Sequence, residues 1–596
     1  MKRSLLIGVI LAGTFYGAHA QISQGGLPLS FQTDVNFNNI PVARYANPDW
    51  DAYLAQDKED TRFTKPFLAA LYTTADFGFP QSGQMITLDN GQRVWRGQIS
   101  IAGAPAIGLL YDRFNLPKGV RLYLSNENHK QVLGAFDAEN NDASGTFATD
   151  AIQGNTVTVE LNIDPFVDIN AIELHADKAA VFHRAIEHLR IYAGNQPLDQ
   201  VDDQLNGLSS TCMVNAICPQ GTEYANNRKA TVQILIPAGQ GYSLCSGTLV
   251  NNTGNAVGSC KAYLLTATHC EGTGSVSSTT FNQALTRFNF EYKNCAGTGA
   301  EPTSNTMVGL NFVARADYNS SVSTNNIKGD FMLLQMKQAI PSSYDAVLSG
   351  WNNSGSIATS VSEPKKFIGF HHPDGDNKKL SYTHQIQSSS LGAANTHWAM
   401  ILENSYGSTG SSGSGLFNGD GYLIGQLSIG GDQSVPASCI NNAAGQATNI
   451  GDYVAYSKFS YVWDYSVNGT ADNRKLKPWL DPANTGATTI SAVKSNCSVI
   501  TTTGIKTSAK DLSDNISVYP NPVTDGNLVV QYNLTSSQDI NVKVYDLSGK
   551  EVYTAGFAKA QNGTRNLNLS GLSNGMYMVT FSTEDGFASK KIMLRK

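Results

Sequence analysis

Leu264-Leu265-Thr266-Ala267-Thr268-His269-Cys270 is an apolar run that stops at a histidine beside a cysteine. It reads as a short strand with His269 at its mouth. Downstream, Gly329-Asp330-Phe331-Met332-Leu333-Leu334 sets an acid immediately before a second apolar strand. Gly410-Ser411-Ser412-Gly413-Ser414-Gly415-Leu416-Phe417 then surrounds a serine with small residues, and Gly425-Gln426-Leu427 follows. Singly, these are an ordinary structural histidine, a turn aspartate and a flexible Ser/Gly loop. Together, in the order His, Asp, Ser, they supply the parts of acyl transfer. A serine hydroxyl is a poor nucleophile until a base takes its proton. A neutral imidazole does this near neutral pH, and a carboxylate holds its tautomer and stabilises the imidazolium. His269, Asp330 and Ser412 are therefore the candidate triad. The glycines flanking Ser412 let the amides of Gly410 and Ser412 converge as an oxyanion hole. The expected reaction is peptide-bond hydrolysis through an acyl-enzyme.

Outward from these stretches, residues 207–490 read as many short strands joined by Gly/Asn/Ser loops. Tyr263–Thr266, Phe331–Met336, Lys366–Phe370 and Tyr422–Leu427 are the clearest, and helix is scarce before Arg474–Leu480. That pattern predicts antiparallel barrels. Residues 21–206 form a separate, cysteine-free region with strands predicted at Arg93–Ile99, Gly119–Leu124, Gln131–Asp137 and Asn155–Leu161, and a helix at Asp177–Leu189. Its end, from Gly194-Asn195-Gln196-Pro197, reads as a linker. Residues 491–515 are Ser/Thr/Lys-rich and read as a tether. Residues 516–596 alternate strands such as Leu528–Tyr532, Ile540–Tyr545, Gly575–Phe581 and Lys591–Leu594 with short turns, which predicts a small β-sandwich.

The 596 residues are 41% hydrophobic and 15% charged, enough for several cores. The net charge of -6 leaves no basic field for nucleic acid. Lys2-Arg3, the apolar run Leu5–Phe15 and Ala18-His19-Ala20 read as a secretory leader over residues 1–20. The run is shorter than the roughly 20 apolar residues that span a bilayer. All eight cysteines lie from Cys212 onward, and an even count in an exported chain favours disulfides. Their spacing does not suit zinc, and Asp57, Glu59 and Asp60 lack a calcium loop's regularity, so neither metal nor cofactor is expected.

The central block resembles the bacterial lysyl-endopeptidase family of chymotrypsin-fold serine proteases. The resemblance runs through Ser210-Thr211-Cys212-Met213-Val214-Asn215-Ala216-Ile217-Cys218-Pro219, Cys245-Ser246-Gly247-Thr248-Leu249-Val250, Thr266-Ala267-Thr268-His269-Cys270, Asp330-Phe331, His371-His372-Pro373, Gly410–Ser414 and Trp479-Leu480-Asp481-Pro482-Ala483-Asn484-Thr485-Gly486-Ala487. It implies a mostly β chain: a double β-barrel protease domain between a β-rich pro-domain (21–206) and a C-terminal β-sandwich. It implies His269, Asp330 and Ser412 as the triad and disulfides Cys212–Cys439, Cys218–Cys295 and Cys245–Cys270. Cys260 and Cys497 are left over, as a fourth bridge or as free thiols. The last domain is similar to the type A sorting domain of type IX secretion, through Val518-Tyr519-Pro520-Asn521-Pro522, Val544-Tyr545-Asp546-Leu547-Ser548-Gly549-Lys550 and Leu572-Ser573-Asn574-Gly575-Met576-Tyr577. That implies export through the periplasm to the cell surface or medium, with the secretion machinery as partner.

The family's namesakes cleave after Lys by means of a pocket carboxylate. Asp452 is the candidate here, although an ungapped alignment puts Val454 in its place. The trypsin-type position is Tyr406, and a histidine expected after the nucleophile is Ser428. Cleavage of protein or peptide substrates after Lys or Arg is the expectation. A non-basic specificity, or a non-catalytic secreted binding protein on the same fold, is the alternative. Ile191–Asn227 contains no basic residue, which points to a separate activating protease cutting near Gly207.

Overall fold

A computed structural model describes the chain apart from residues 1–22, 34–38, 61–65, 194–208, 210–212, 273–275, 278, 298–302, 318–328, 392, 431–439, 442–446, 449–452, 466–468, 501–509, 513–514, 547–549 and 584–585. The predicted leader, Cys212, Cys439 and Asp452 lie outside the described residues, as does most of the predicted linker after Gly194. The fold is mostly β, in two compact units, 1–500 and 501–596.

In the first unit the strand Gly241–Val250, Gly-Tyr-Ser-Leu-Cys-Ser-Gly-Thr-Leu-Val, is buried at every position. Both its faces and both its edges are covered, so it does not alternate as a half-exposed strand would. It pairs with Thr231–Ala238 on one side and Tyr263–Thr266 on the other. Tyr263–Thr266 pairs in turn with Met332–Met336. Leu285–Glu291, Thr303–Val308 and Leu310–Arg315 complete this first barrel-like sheet. A second, built from Phe367–His371, Lys379–Thr383, Ala393–Ile401, Gly415–Phe417, Leu423–Ile429 and Tyr453–Lys458, lies beside it. The candidate His and Asp come from the first, and the candidate Ser precedes Gly415–Phe417 of the second. This is the double-barrel arrangement expected of the central block.

Three sequence expectations need correction. Asp177–Leu189 is not a helix: Glu173–Phe182 is a strand between Leu68–Gly78 and Ala106–Asn115, followed by a 3-10 turn, Glu187–Tyr192. Pairing on both edges decides the matter over a short Ala-Ala-Val-Phe run that carries no clear period. The tether is also shorter than 491–515, because Val493–Lys494 pairs with Val347–Leu348 and Cys497 bonds Cys260. Finally, the N-terminal region is not a self-contained body. Leu68–Leu71 pairs antiparallel with Gly241–Ser243, which joins its sheet to the first barrel. Leu235, Tyr242, Leu244, Leu285 and Val308 of the barrel share one core with Phe77, Trp95, Tyr111 and Phe182. Arg287, fully buried, crosses the junction as a fork onto Asp150, at 2.6 and 3.0 Å.

In the second unit, two long strands, Asn527–Tyr545 and Glu551–Asn568, pair along most of their length. Ile516–Tyr519 adds to one end, and Gly575–Ser582 with Gly586–Leu594 to the other. Leu528, Val530, Val542, Val544, Leu567, Val579 and Ile592 share one core, and the strands join in one six-stranded sheet.

Candidate active site

The strand Tyr263–Thr266 ends at Ala267, and a 3-10 turn, Thr268–Glu271, carries His269. Arg315 braces this turn: its Nε donates to Thr268 Oγ1 at 2.8 Å, and its Nη1 reaches Glu271 at 3.3 Å. The Cys245–Cys270 disulfide ties the turn to the 241–250 strand. Disulfides also join Cys218 to Cys295 and Cys260 to Cys497.

Asp330, 2% exposed, stands just before Met332–Met336, and its Oδ2 lies 2.7 Å from His269 Nδ1. Its Oδ1 accepts the His269 backbone N–H at 3.2 Å, and Ser428 Oγ donates to Oδ2 at 2.6 Å. Burial alone would raise the carboxyl's pKa. The facing His269 charge and the hydrogen bonds from His269 and Ser428 outweigh it and hold the carboxyl below its usual range. Asp330 is thus kept ionised with its second oxygen shared between imidazole and hydroxyl. Gln426 Nε2 donates to the Asp330 carbonyl at 3.1 Å, which fixes the backbone as well.

The Ser/Gly loop is pinned rather than free. Ser246 N donates to the Ser412 carbonyl and Ser246 Oγ to the Gly410 carbonyl, both at 2.9 Å. Gly413 N donates to Leu427 O at 2.8 Å. Gly413 has φ +81°, and a Cβ there would sit 2.1 Å from Thr266 Oγ1, so only glycine brings the loop this close to the histidine strand. Of the three serines, Ser411 and Ser414 are fully buried, and Ser411 Oγ lies 2.8 Å from His371 Nδ1. Ser412 alone is partly exposed. Ser411 N and Ser414 N are spent within the loop, at 3.0 and 3.2 Å. The amides of Gly410 and Ser412 make no hydrogen bond among the described residues.

Other residues singled out from sequence fall elsewhere. His371 and His372 are buried, and burial, with nearby lysine charge, keeps both imidazoles neutral. His371 Nδ1 holds Ser411 Oγ, and His372 Nδ1 lies 3.0 Å from the Asp376 carbonyl. Val454 packs in an apolar cluster with Trp398, Met400 and Tyr456, and Tyr406 packs on Met213. Among the described residues no cluster of His, Cys, Asp or Glu could hold a metal. Sequence reasoning missed Ser246, Arg315 and the hydrogen bond made by Ser428. Ser428 stood where a histidine was expected, and nothing in a single hydroxyl marks it as a partner of Asp330.

Residues 206–453 match the family model of the lysyl endopeptidase C-terminal domain, and residues 517–595 that of the secretion system C-terminal sorting domain. The family matches support a serine protease that is exported to the cell surface or medium. The chain thus resembles the lysyl-endopeptidase family in its central block and carries a sorting domain, which marks it for export to the surface or medium. Among solved structures it is similar to the secreted serine protease VesC from Vibrio cholerae: 11% identity, 61% of this chain, 68% of that one, TM-score 0.22. It is also similar to a biofilm associated protein, BSP domain: 10% identity, 95% and 99% coverage, TM-score 0.12. At these scores neither likeness carries an argument.

Proposed function

We propose that Ser412 is the nucleophile, His269 the base and Asp330 its orienting carboxylate, with the amides of Gly410 and Ser412 as the oxyanion hole. The observation that carries this is the 2.7 Å bond from His269 Nδ1 to a buried, ionised Asp330. It leaves Nε2 as the nitrogen to take the serine proton. Ser412 Oγ adds to the substrate carbonyl and its proton passes to His269. The imidazolium then protonates the departing amine, and water releases the acyl group by the reverse relay. Cleavage follows Lys or Arg, with Asp452 as the carboxylate of the pocket. Residues 21–206 act as a pro-domain, removed near Gly207 by another protease, because Ile191–Asn227 holds no basic residue for the enzyme to cut after. The test is digestion of a mixed peptide library by the processed enzyme. Cuts are expected after basic residues, and Asp452→Asn should reduce them far more than it disturbs folding. An unchanged preference would remove Asp452 from the pocket.

A further inference from the structure

Five consecutive carbonyls of the Ser/Gly loop, from Ser408 to Ser412, are each held by a donor. Ser408 O accepts from Ser411 N at 3.0 Å and Ser411 O from Ser414 N at 3.2 Å, within the loop itself. Gly410 O and Ser412 O accept from the Oγ and N of Ser246, both at 2.9 Å. The fifth, Thr409 O, accepts from the backbone N–H of Asp374 at 2.6 Å. Thr409 O and Gly410 N belong to one peptide unit, so this bond acts on the unit whose N–H is the proposed oxyanion donor. That unit is trans and planar, and its C=O and N–H point in opposite directions. Fixing the oxygen on Asp374 therefore sends the Gly410 N–H away from Asp374.

Gly410 does not make this choice by itself. Its φ is +87°. Half a turn of the peptide would carry it to about -90°, which glycine adopts as readily. In that second orientation the Thr409 oxygen, and not the Gly410 N–H, would face the oxyanion. Asp374 is fitted to decide between the two. Its φ of +54° lies in the left-handed region, where Asp and Asn are the side chains most often found. Its Oδ1 accepts from Ser408 Oγ and, at 3.2 Å, from Thr409 Oγ1. One residue thus holds two successive residues of the loop by three hydrogen bonds. The turn that carries it is fixed in turn to the first barrel: His372 N donates to Ser246 Oγ at 2.9 Å, and Gln233 Nε2 donates to Gly375 O at 3.0 Å.

We propose that Asp374 is a positioning residue for the reaction: its N–H and its carboxylate hold the Thr409–Gly410 peptide in the one orientation that offers the Gly410 N–H to the oxyanion. This rests on the nucleophile and oxyanion hole proposed above. It does not depend on which side chain fills the specificity pocket. The holding is done by an acceptor oxygen on a left-handed residue. Asparagine supplies the same oxygen and tolerates the same φ, so it serves in place of the carboxylate. Glycine keeps the backbone conformation but releases both hydroxyls.

The experiment follows the pre-steady-state burst of the processed enzyme with 4-nitrophenyl acetate, a small ester that needs no particular pocket. Ser412→Ala sets the background. Asp374→Gly is expected to slow acylation about 100-fold, the low end of what the loss of one oxyanion donor costs, with the dissociation constant of the ester unchanged. Asp374→Asn is expected to stay within about threefold of the parent. A double variant, Ser408→Ala with Thr409→Val, removes the two hydroxyl donors and leaves Asp374 in place. It is expected to slow acylation at least about tenfold, and it decides the matter if Asp374→Gly does not fold. A parental acylation rate in Asp374→Gly, or in the double variant where Asp374→Gly does not fold, overturns the proposal. So does a loss in Asp374→Asn as deep as in Asp374→Gly, or a change confined to the dissociation constant. A parent burst no larger than that of Ser412→Ala overturns the nucleophile instead, and this proposal with it.

Discussion

Asp150→Asn tests how firmly the N-terminal region is built into the barrel. Arg287 is completely buried and forks onto Asp150, while its Nη1 also donates to Ala185 O at 2.9 Å and to Gln233 Oε1 at 3.0 Å. Burial would raise the Asp150 carboxyl, but the Arg287 charge and hydrogen bonds, with the Thr306 hydroxyl at 2.7 Å, bring it down to about 2 from 3.8. At about 1.4 kcal/mol per pH unit, that depression is worth roughly 2 kcal/mol at neutral pH. Asparagine keeps the size but removes the charge, and leaves a buried guanidinium unpaired, for which about 3–5 kcal/mol is usual. The carbonyl and amide still facing Arg287 place the expected loss near the lower end, about 3 kcal/mol. The assay is urea unfolding of the full-length chain in the Ser412→Ala background, which prevents autolysis. Because the folded pKa is depressed, the aspartate's contribution is fully present above about pH 4 and disappears as pH falls toward 2. The gap between parent and variant should therefore be constant from pH 5 to 7 and close on acidification. A gap below about 1 kcal/mol, or one that persists at pH 2, would refute the ion pair as a fastening of the junction.

Ser428→Ala removes a hydroxyl that donates at 2.6 Å to the carboxylate of Asp330. A hydrogen bond to a charged group is worth about 1.5–3 kcal/mol, so kcat should fall roughly 10- to 100-fold with KM unchanged, and Ser428→Thr should recover part of it. A KM effect alone would assign Ser428 to substrate binding. Deleting residues 516–596 should abolish secretion from a type IX-competent host and leave the retained protein able to be processed and to hydrolyse peptides. Normal extracellular yield would contradict the export role.

What sequence could show here was local. Tyr263–Thr266 is predicted and found with the same ends, because a Tyr-Leu-Leu-Thr run between a short loop and a histidine leaves little else to form. The Gly410–Ser414 loop was readable because glycine is demanded there twice by positive φ, at Gly410 and Gly413. Features that depend on distant pairing were not readable. Leu68–Leu71 reads as an apolar strand from any context, and nothing in it announces Gly241–Ser243 as its neighbour. Asp177–Leu189 misled because Ala-Ala-Val-Phe suits a helix or a strand, and two flanking strands chose. Residues 491–500 have a tether's composition, yet Cys497 and the pairing of Val493–Lys494 with Val347–Leu348 fold them onto the barrel.

The most direct measurement is the site of covalent labelling by a serine-acylating probe on the processed enzyme, read by peptide mapping, in parent, Ser412→Ala and Ser414→Ala. The account predicts one label, on Ser412, lost with peptidase activity in Ser412→Ala. Both should be kept in Ser414→Ala, whose buried hydroxyl has no partner among the described residues. A label on Ser414, or peptidase activity that survives Ser412→Ala, would contradict it.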